Sequence, residues 1–145
     1  AIKEHLLNGE LYPRLYEIGG RLVEGFNEHA EDLGVTARAY GLPVDDPTQI
    51  KLNFFDRPVA PEDEHLFRTG PSSFEEYEAR ASYRAADAGQ AHYLSMINSG
   101  VFSLGGVQSF MTCVEHTEED VERTVEAFGR SLRALRENDL IGTVG

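Results

Sequence analysis

Residues 100–124 read GVFSLGGVQSFMTCVEHTEEDVERT, and this stretch carries more structural information than any other part of the chain. Its apolar residues predict two strands, over 101–104 and 107–114, joined by a tight Gly-Gly turn. Thr117 stands three residues before Asp120, which is the spacing of a capped helix start. The order of strand, turn, strand and capped helix predicts a domain in which helices pack on a sheet.

The first third of the chain predicts one long amphipathic helix. Its apolar residues recur at spacings of three and four: Leu11, Leu15, Ile18, Leu22, Phe26, Ala30 and Leu33. Pro13 suits the first turn of a helix, and Gly34 suits the position just past its end. The Gly19-Gly20 pair inside the helix predicts close backbone packing against a neighbour.

Two alternating segments follow, over residues 35–40 and 50–55, and predict two strands with one solvated face. In the second strand, Ile50, Leu52 and Phe54 share one side. Lys51 and Asn53 share the other side, which we expect to face solvent.

The rest of the chain predicts helices and connections. Residues 57–71 predict a loop, and capping-box spacings at Ser72 and Ser73 predict a helix start. A helix around 91–98 has Tyr93, Leu94, Met96 and Ile97 as its apolar part. The final helix has a buried stripe of Val121, Val125, Phe128, Leu132 and Leu135. Residues 138–145 predict a flexible tail.

These elements predict one α+β domain over residues 1–145. We expect a three- to four-stranded, mainly antiparallel sheet with helices packed on one face.

Composition excludes several classes of partner. The chain has 25 acidic and 13 basic residues and a net charge of −12, so its field repels phosphate backbones and predicts no nucleic-acid partner. No apolar run approaches the ~20 residues that span a bilayer, which predicts no membrane partner. One cysteine, Cys113, excludes an internal disulfide and fits a cytoplasmic protein. Its apolar surroundings predict a buried core thiol rather than a nucleophile.

Two acidic clusters raise the question of a metal site, and each has a simpler explanation. The residues from Glu115 to Asp120 include His116, but acids in the first turn of a helix are favoured by its dipole. The loop from Glu62 to His65 lacks the alternating ligands and central glycine of a calcium loop. We therefore predict no metal site, and no catalytic set at recognisable spacing.

The stretch from Gly100 to Leu132 resembles the C-terminal small domain of class-III pyridoxal-phosphate (PLP) aminotransferases, closest to the glutamate-1-semialdehyde 2,1-aminomutase group. That family ends in the pattern G-V-φ-φ … φ-S … H-T-E-E-D-φ-x-x-T, where φ is apolar. Here the pattern runs from Gly100-Val101 to His116–Thr124. A weaker match covers Leu11 to Phe55.

The resemblance implies that this chain belongs to a larger enzyme. In that family the chemistry is performed largely by the cofactor and by residues outside this segment. The family binds PLP in a large domain that is absent from this chain, and we expect no cofactor on this segment alone. The only lysines are Lys3 and Lys51, and neither can be assigned the Schiff-base role. The resemblance further implies a homodimeric parent that acts on a small amino or keto acid. This domain would close over the active-site cleft.

One binding position carries over from the resemblance. In the aminomutases, the strand before H-T-E-E-D tends to read S-x-F-E-A-x-F-x-S, and its Glu reaches the active site. Aligned without gaps, that Glu falls on Gln108, and a small residue falls on Phe110. Gln108 cannot act as a carboxylate, which argues against strict aminomutase activity, but its amide can bind a polar group of the substrate. An ordinary edge-strand role for Gln108 is equally compatible with the sequence.

The alternative hypothesis belongs to a different class of protein. A free-standing acidic α+β module would bind a small ligand or a partner without chemistry, and the lack of an assembled catalytic set favours it. The two hypotheses differ in their surfaces. A small domain needs an exposed apolar face where the large domain docks, whereas a free module needs a pocket of its own.

Overall fold

The computed structural model describes residues 9, 11–42, 46–103 and 109–145, and these fold into five helices and three strands. In chain order the elements are α1 Leu11–Leu33, β1 Ala37–Leu42, β2 Gln49–Phe54, a short 3₁₀ helix Pro61–Asp63, α2 His65–Arg68, α3 Phe74–Ser82, α4 Ala88–Asn98, β3 Ser109–Met111 and α5 Glu118–Glu137. The predicted α+β class is confirmed.

The strands form one antiparallel sheet in the order β1-β2-β3. Ala39 pairs with Leu52, and Ile50 pairs with Phe110. Because side chains alternate along a strand, this register places Ile50, Leu52 and Phe110 on one face, and all three are buried. We call this the core face of the sheet.

Helices α1, α4 and α5 cover the core face. Phe26 of α1 meets Phe54 of β2 edge-on with ring centroids 5.9 Å apart, and it meets Phe128 of α5 at 5.3 Å. Edge-to-face contact is the arrangement that aromatic quadrupoles favour. The predicted stripes of α1 and α5 therefore form the main core.

Of the three glycines for which the sequence predicted a role, Gly19, Gly20 and Gly34, two have that role. Gly34 has a φ of 61°, the left-handed geometry that ends a helix without a Cβ penalty. Gly19 is buried so close to the Pro47 carbonyl that a Cβ at this position would collide with it, whereas a Cβ at Gly20 would meet open space. Of the Gly19-Gly20 pair, only Gly19 is required for close packing.

The opposite face of the sheet differs from its prediction as a solvated surface. Residues 57–71 are not a simple loop, because they contain the 3₁₀ helix and α2. Their apolar residues Leu66 and Phe67 form a second cluster with Phe55 and Tyr83, and Tyr40 of β1 packs against it. This cluster and α3 partly cover the face that carries Lys51. Lys51 is half-buried, and Asn53 is buried with its amide donating to the Arg38 carbonyl at 3.3 Å.

The last strand pair was predicted incorrectly. Residues 101–103 have no strand structure, and β3 covers only Ser109–Met111 within the predicted 107–114. β3 pairs with β2 instead of with the segment just before it. The antiparallel edge of β2 offers β3 a full row of backbone partners, and that long-range pairing replaces the local hairpin.

Helix α4 also differs in its buried side. It begins at Ala88, and three of its four buried residues, Ala88, His92 and Met96, are spaced by four. Leu94 and Ile97, which were predicted as part of the apolar face, are 53% and 42% exposed. The side of α4 that packs combines the small residues Ala88 and Gly89 with His92 and Met96, so Met96 is the one residue of the predicted apolar set that is fully buried.

Residues 138–145 are held to the sheet rather than free. The Gly142 amide donates to the Phe55 carbonyl at 2.8 Å, and the Gly142 carbonyl accepts from Thr36 at 2.8 Å. Val35 forms a bridge with Thr143, and Ile141 is buried in the core. The predicted flexible tail was wrong because these residues continue the hydrogen bonding beside the start of β1.

Candidate functional site

A cavity of about 340 Å³ lies at the end of the sheet where the sequence motif runs. Residues 101–103 form one wall, and Phe110 to Cys113 form another. Ile18 and Leu22 of α1 close it from one side, and His116 and the first turns of α5 close it from the other. We call it the motif cavity. Apolar walls with a few polar groups are typical of a ligand or docking site.

The polar side of the motif cavity is built by the start of α5. Thr117 accepts from the Asp120 amide at 3.2 Å, and the Asp120 carboxylate accepts from the Thr117 amide at 2.8 Å. This reciprocal pair is the predicted capping box. The hydrogen bonds from the backbone and hydroxyl of Thr117 hold the pKa of Asp120 below its ordinary value.

His116 stabilises the turn that leads into the helix. The Cys113 amide donates to His116 Nδ1 at 3.1 Å, so the neutral ring carries its proton on Nε2. The His116 carbonyl accepts from Arg14 of α1 at 3.1 Å. His116 is therefore a structural residue of the cavity wall, as its place before a helix cap predicted.

Cys113 is exposed, which contradicts the prediction of a buried thiol. The strand ends at Met111, and the chain then turns toward the Thr117 cap, so Cys113 lies on the turn rather than in the sheet. Its amide is used by His116, and its side chain lies at the edge of the motif cavity.

The carried-over position Gln108 lies outside the described residues, as do Gly105 and Gly106. The structure does describe the residues that flank this segment, Ser103 and Ser109. Ser103 is buried and its hydroxyl donates to the carbonyl of Ser109, so the two ends of this segment meet at the wall of the motif cavity. The role of Gln108 stays a prediction.

Two arginines tie α1 to α5 beside the cavity. Glu118 accepts from Arg14 at 3.1 Å and also pairs with Arg21. The hydrogen bond from Arg21 has the largest effect and that from Arg14 the next largest, and both lower the pKa of Glu118. Because Arg14 also contacts His116, the first turns of α1 and the motif lie together at one end of the fold.

The opposite face of the sheet carries a second cavity, which the sequence did not predict. It has a volume of about 260 Å³ and is lined by Lys51, Asn53, Phe67, Tyr77, Arg80, Arg84 and their neighbours. We call it the basic cavity. Sequence offered one signal, since Arg80 and Arg84 are four residues apart, but nothing local connects them to Lys51.

His92 is a buried titratable residue that sequence reasoning also missed. It is fully buried, and its Nδ1 lies 2.8 Å from the Ser131 hydroxyl. Its ring packs against Phe54 at 4.9 Å and Phe128 at 6.0 Å. Burial among these rings lowers the pKa of His92 to about 4. The i, i+4 spacing with Ala88 and Met96 was the available signal.

Two further arrangements do not occur in the described ranges. No three His, Cys, Asp or Glu side chains of that part of the chain come together as metal ligands. No helix within those ranges combines the length and the apolar content needed to cross a bilayer.

Two comparisons with known proteins give no match. A scan against protein-family models gives no match to this chain, and a search of curated proteins gives none either. The fold and the two cavities therefore carry the functional argument together with the resemblance described above.

Proposed function

We propose that the chain is the C-terminal small domain of a class-III PLP-dependent aminotransferase or aminomutase, located in the cytoplasm and acting on a small amino or keto acid. The observation that carries this proposal is the apolar mouth of the motif cavity. Phe102 is 66% exposed and Met111 is 63% exposed, and both line that cavity. Apolar side chains this large and this exposed at one site are typical of a docking surface.

The position of the mouth supports the large domain as the occupant. The first turn of α1 lies beside the motif cavity, because Arg14 bonds the His116 carbonyl. A large domain that precedes α1 in the same polypeptide would therefore arrive at the end of the fold where Phe102 and Met111 are exposed. A connection of this kind keeps the docking partner at high effective concentration.

The motif cavity does not by itself fit the cofactor. Its described lining residues include Ser103, Thr112 and Thr124 but no lysine or arginine, so they offer neither an amine for covalent attachment nor a cation for the phosphate. Bound in the large domain, PLP would act as the electron sink for chemistry at the substrate's α-carbon. The proposed contribution of this chain is to cover the cleft and exclude water, with Phe102 and Met111 forming the covering surface.

The test uses the full-length gene product that contains this chain. We expect it to carry the visible absorption of bound PLP, to change colour on addition of an amino donor, and to run as a homodimer in light scattering. A colourless product without added domains would overturn the proposal.

Variants of the full-length protein test the docking surface. Phe102→Ser and Met111→Ser should each lower kcat by about tenfold or more, since about 1.4 kcal/mol of lost closure is a factor of ten. The matched control is Phe74→Ser on α3, because Phe74 is 73% exposed and lies away from the motif cavity. Equal losses in all three variants would contradict a specific docking surface.

The alternative, a free-standing acidic module that binds a ligand or partner without chemistry, also has an observation in its favour. The motif cavity has enough volume for a small ligand, with Thr112, His116 and Thr124 as polar groups on its wall. This hypothesis predicts a gene product that has no cofactor and no enzymatic activity. In that protein, Phe102→Ser would weaken ligand binding.

A further inference from the structure

Three cations of different elements meet at the basic cavity. Lys51 extends from β2, Arg80 from α3, and Arg84 from the segment that follows α3. Tyr77 and Phe67 supply aromatic surface, and the Arg80 guanidinium lies 5.6 Å from the centre of the Phe67 ring. The Phe67 contact orients Arg80 while leaving its N–H groups available for a ligand.

The charges of this cavity are not balanced within the described part of the chain. Lys51, Arg80 and Arg84 make no ion pair with a carboxylate there, and neither do Arg123, Arg133 and Arg136, whereas Arg14, Arg21, Arg38, Arg57 and Arg130 each make at least one. What distinguishes Lys51, Arg80 and Arg84 is that they line one cavity, in a chain of net charge −12 whose carboxylates outnumber its cations almost two to one.

The three cations also disfavour one another. The pKa of Lys51 is lowered mainly by its partial burial. The positive charges of Arg80 and Arg84 lower it further. A half-buried ammonium facing two guanidinium groups is held at a cost in folding free energy, which a bound anion would offset.

We propose that the basic cavity is a binding site for a small phosphate-bearing molecule. Two guanidinium groups and one ammonium match the several oxygens of a phosphoryl group, and guanidinium can bind two of them at once. The cavity is several times larger than the roughly 30 Å³ that one water occupies, so a phosphoryl group with a short substituent fits.

The surroundings favour a small molecule over a polymer or a membrane. The site is concave and sits within a strongly acidic chain, whose overall field repels nucleic acids and anionic lipid surfaces. The basic cavity shares no lining residue with the motif cavity, so this proposal is independent of the proposed function.

The test is calorimetric titration of the 145-residue chain with inorganic phosphate and, in parallel, with phenyl phosphate, at constant ionic strength in chloride. We expect saturable 1:1 binding. Tighter binding of phenyl phosphate would identify an organic ester that contacts Tyr77, and equal binding would identify the free oxyanion. Either ratio supports the site.

Variants decide whether the three cations form that site. Lys51→Met and Arg84→Gln should each weaken phosphate binding by about tenfold or more, since hydrogen bonds to charged groups contribute about that much. The matched control is Arg133→Gln, which removes the same charge from an exposed position on α5, on the other side of the sheet. Thermal unfolding of each variant verifies that it is folded.

A second readout follows the amine of Lys51 directly. In NMR titrations the pKa of Lys51 should rise toward its ordinary value when phosphate is bound, and chloride at equal ionic strength should not raise it. The proposal is overturned if millimolar phosphate does not saturate the chain, or if Arg133→Gln weakens binding as much as Arg84→Gln does. The second result would mean general charge attraction without a site.

Discussion

The two faces of strand β2 show how differently one strand can be packed. Ile50, Leu52 and Phe54 face α1, α4 and α5 and are almost completely buried. Lys51, between them, faces a cavity under α3 together with two arginines. The core face is packed with apolar side chains around these three residues, whereas the opposite face carries the basic cavity and three cations that pair with no carboxylate of the described residues. Stability is concentrated on the first face and the capacity to bind an anion on the second.

The largest expected effect tests the core face. Phe128→Ala should lower the free energy of unfolding by about 3–5 kcal/mol, because it removes a fully buried ring that contacts Phe26 and Phe110. The matched control is Phe74→Ala on α3, where the ring is mostly exposed and the change should stay within about 0.5 kcal/mol. Urea unfolding measures both. Similar losses would erase the distinction between the two faces.

Two neighbouring glycines of α1 allow a comparison of a packed position with an open one. Gly19→Ala should destabilise by about 1–3 kcal/mol, because the new Cβ would collide with the Pro47 carbonyl. Gly20→Ala should stabilise by about 0.5–1 kcal/mol, because its Cβ meets open space and alanine favours the helix. Thermal unfolding of the two variants should therefore move in opposite directions, and shifts of the same sign would contradict the packing described here.

Acid should weaken the core face before it affects the surface. The pKa of His92 is about 4 when folded and 6.5 when exposed, so below pH 6.5 the unfolded state binds a proton that the folded state does not. Stability from the neutral His92 is therefore complete above about pH 6.5 and falls as the pH drops toward 4. We expect a loss of about 2 kcal/mol between pH 7 and pH 5.

Variants isolate His92 as the cause of this pH dependence. The double variant His92→Leu with Ser131→Ala removes the imidazole and its hydroxyl partner together, and it should flatten the profile between pH 5 and pH 7. Ser131→Ala alone is the control, because it leaves the imidazole of His92 buried and should leave the slope in place. Carboxylates with lowered pKa values, such as Glu118 and Asp120, act below about pH 5 and so lie outside this window.

Sequence alone predicted the features of this fold that depend on local chemistry. The helical stripe of α1, the left-handed Gly34 and the capping box at Thr117 each follow from residues a few positions apart, and each is confirmed. The two strands β1 and β2 were placed to within two residues at each end for the same reason.

Features that depend on distant residues could not be predicted in this way. The partner of β3 is β2 rather than its neighbour in sequence, and residues 138–145 bond to the start of β1 from the far end of the chain. The basic cavity joins Lys51 to Arg80 and Arg84 across about thirty residues of chain, and no periodicity reports such a contact. The role of Gln108 is still a prediction.

The smallest expected effect concerns Lys51, and it gives the most direct test of the difference between the two faces of β2. In chloride buffer, Lys51→Met should raise the free energy of unfolding by about 0.5 kcal/mol, because it removes a half-buried ammonium from beside two guanidinium groups while solvent screens part of the gain. Lys51→Arg keeps the charge and should give no increase. Chemical unfolding in matched buffers measures the three proteins.

Phosphate should reverse the order of these stabilities. A ligand that binds only the folded state stabilises it by mass action, so saturating phosphate should raise the melting temperature of the unaltered chain above that of Lys51→Met. The reversal requires the same ammonium to oppose folding in chloride and to hold an anion in phosphate. If Lys51→Met is instead less stable in both buffers, Lys51 is an ordinary packing residue and the two faces of β2 do not differ in kind.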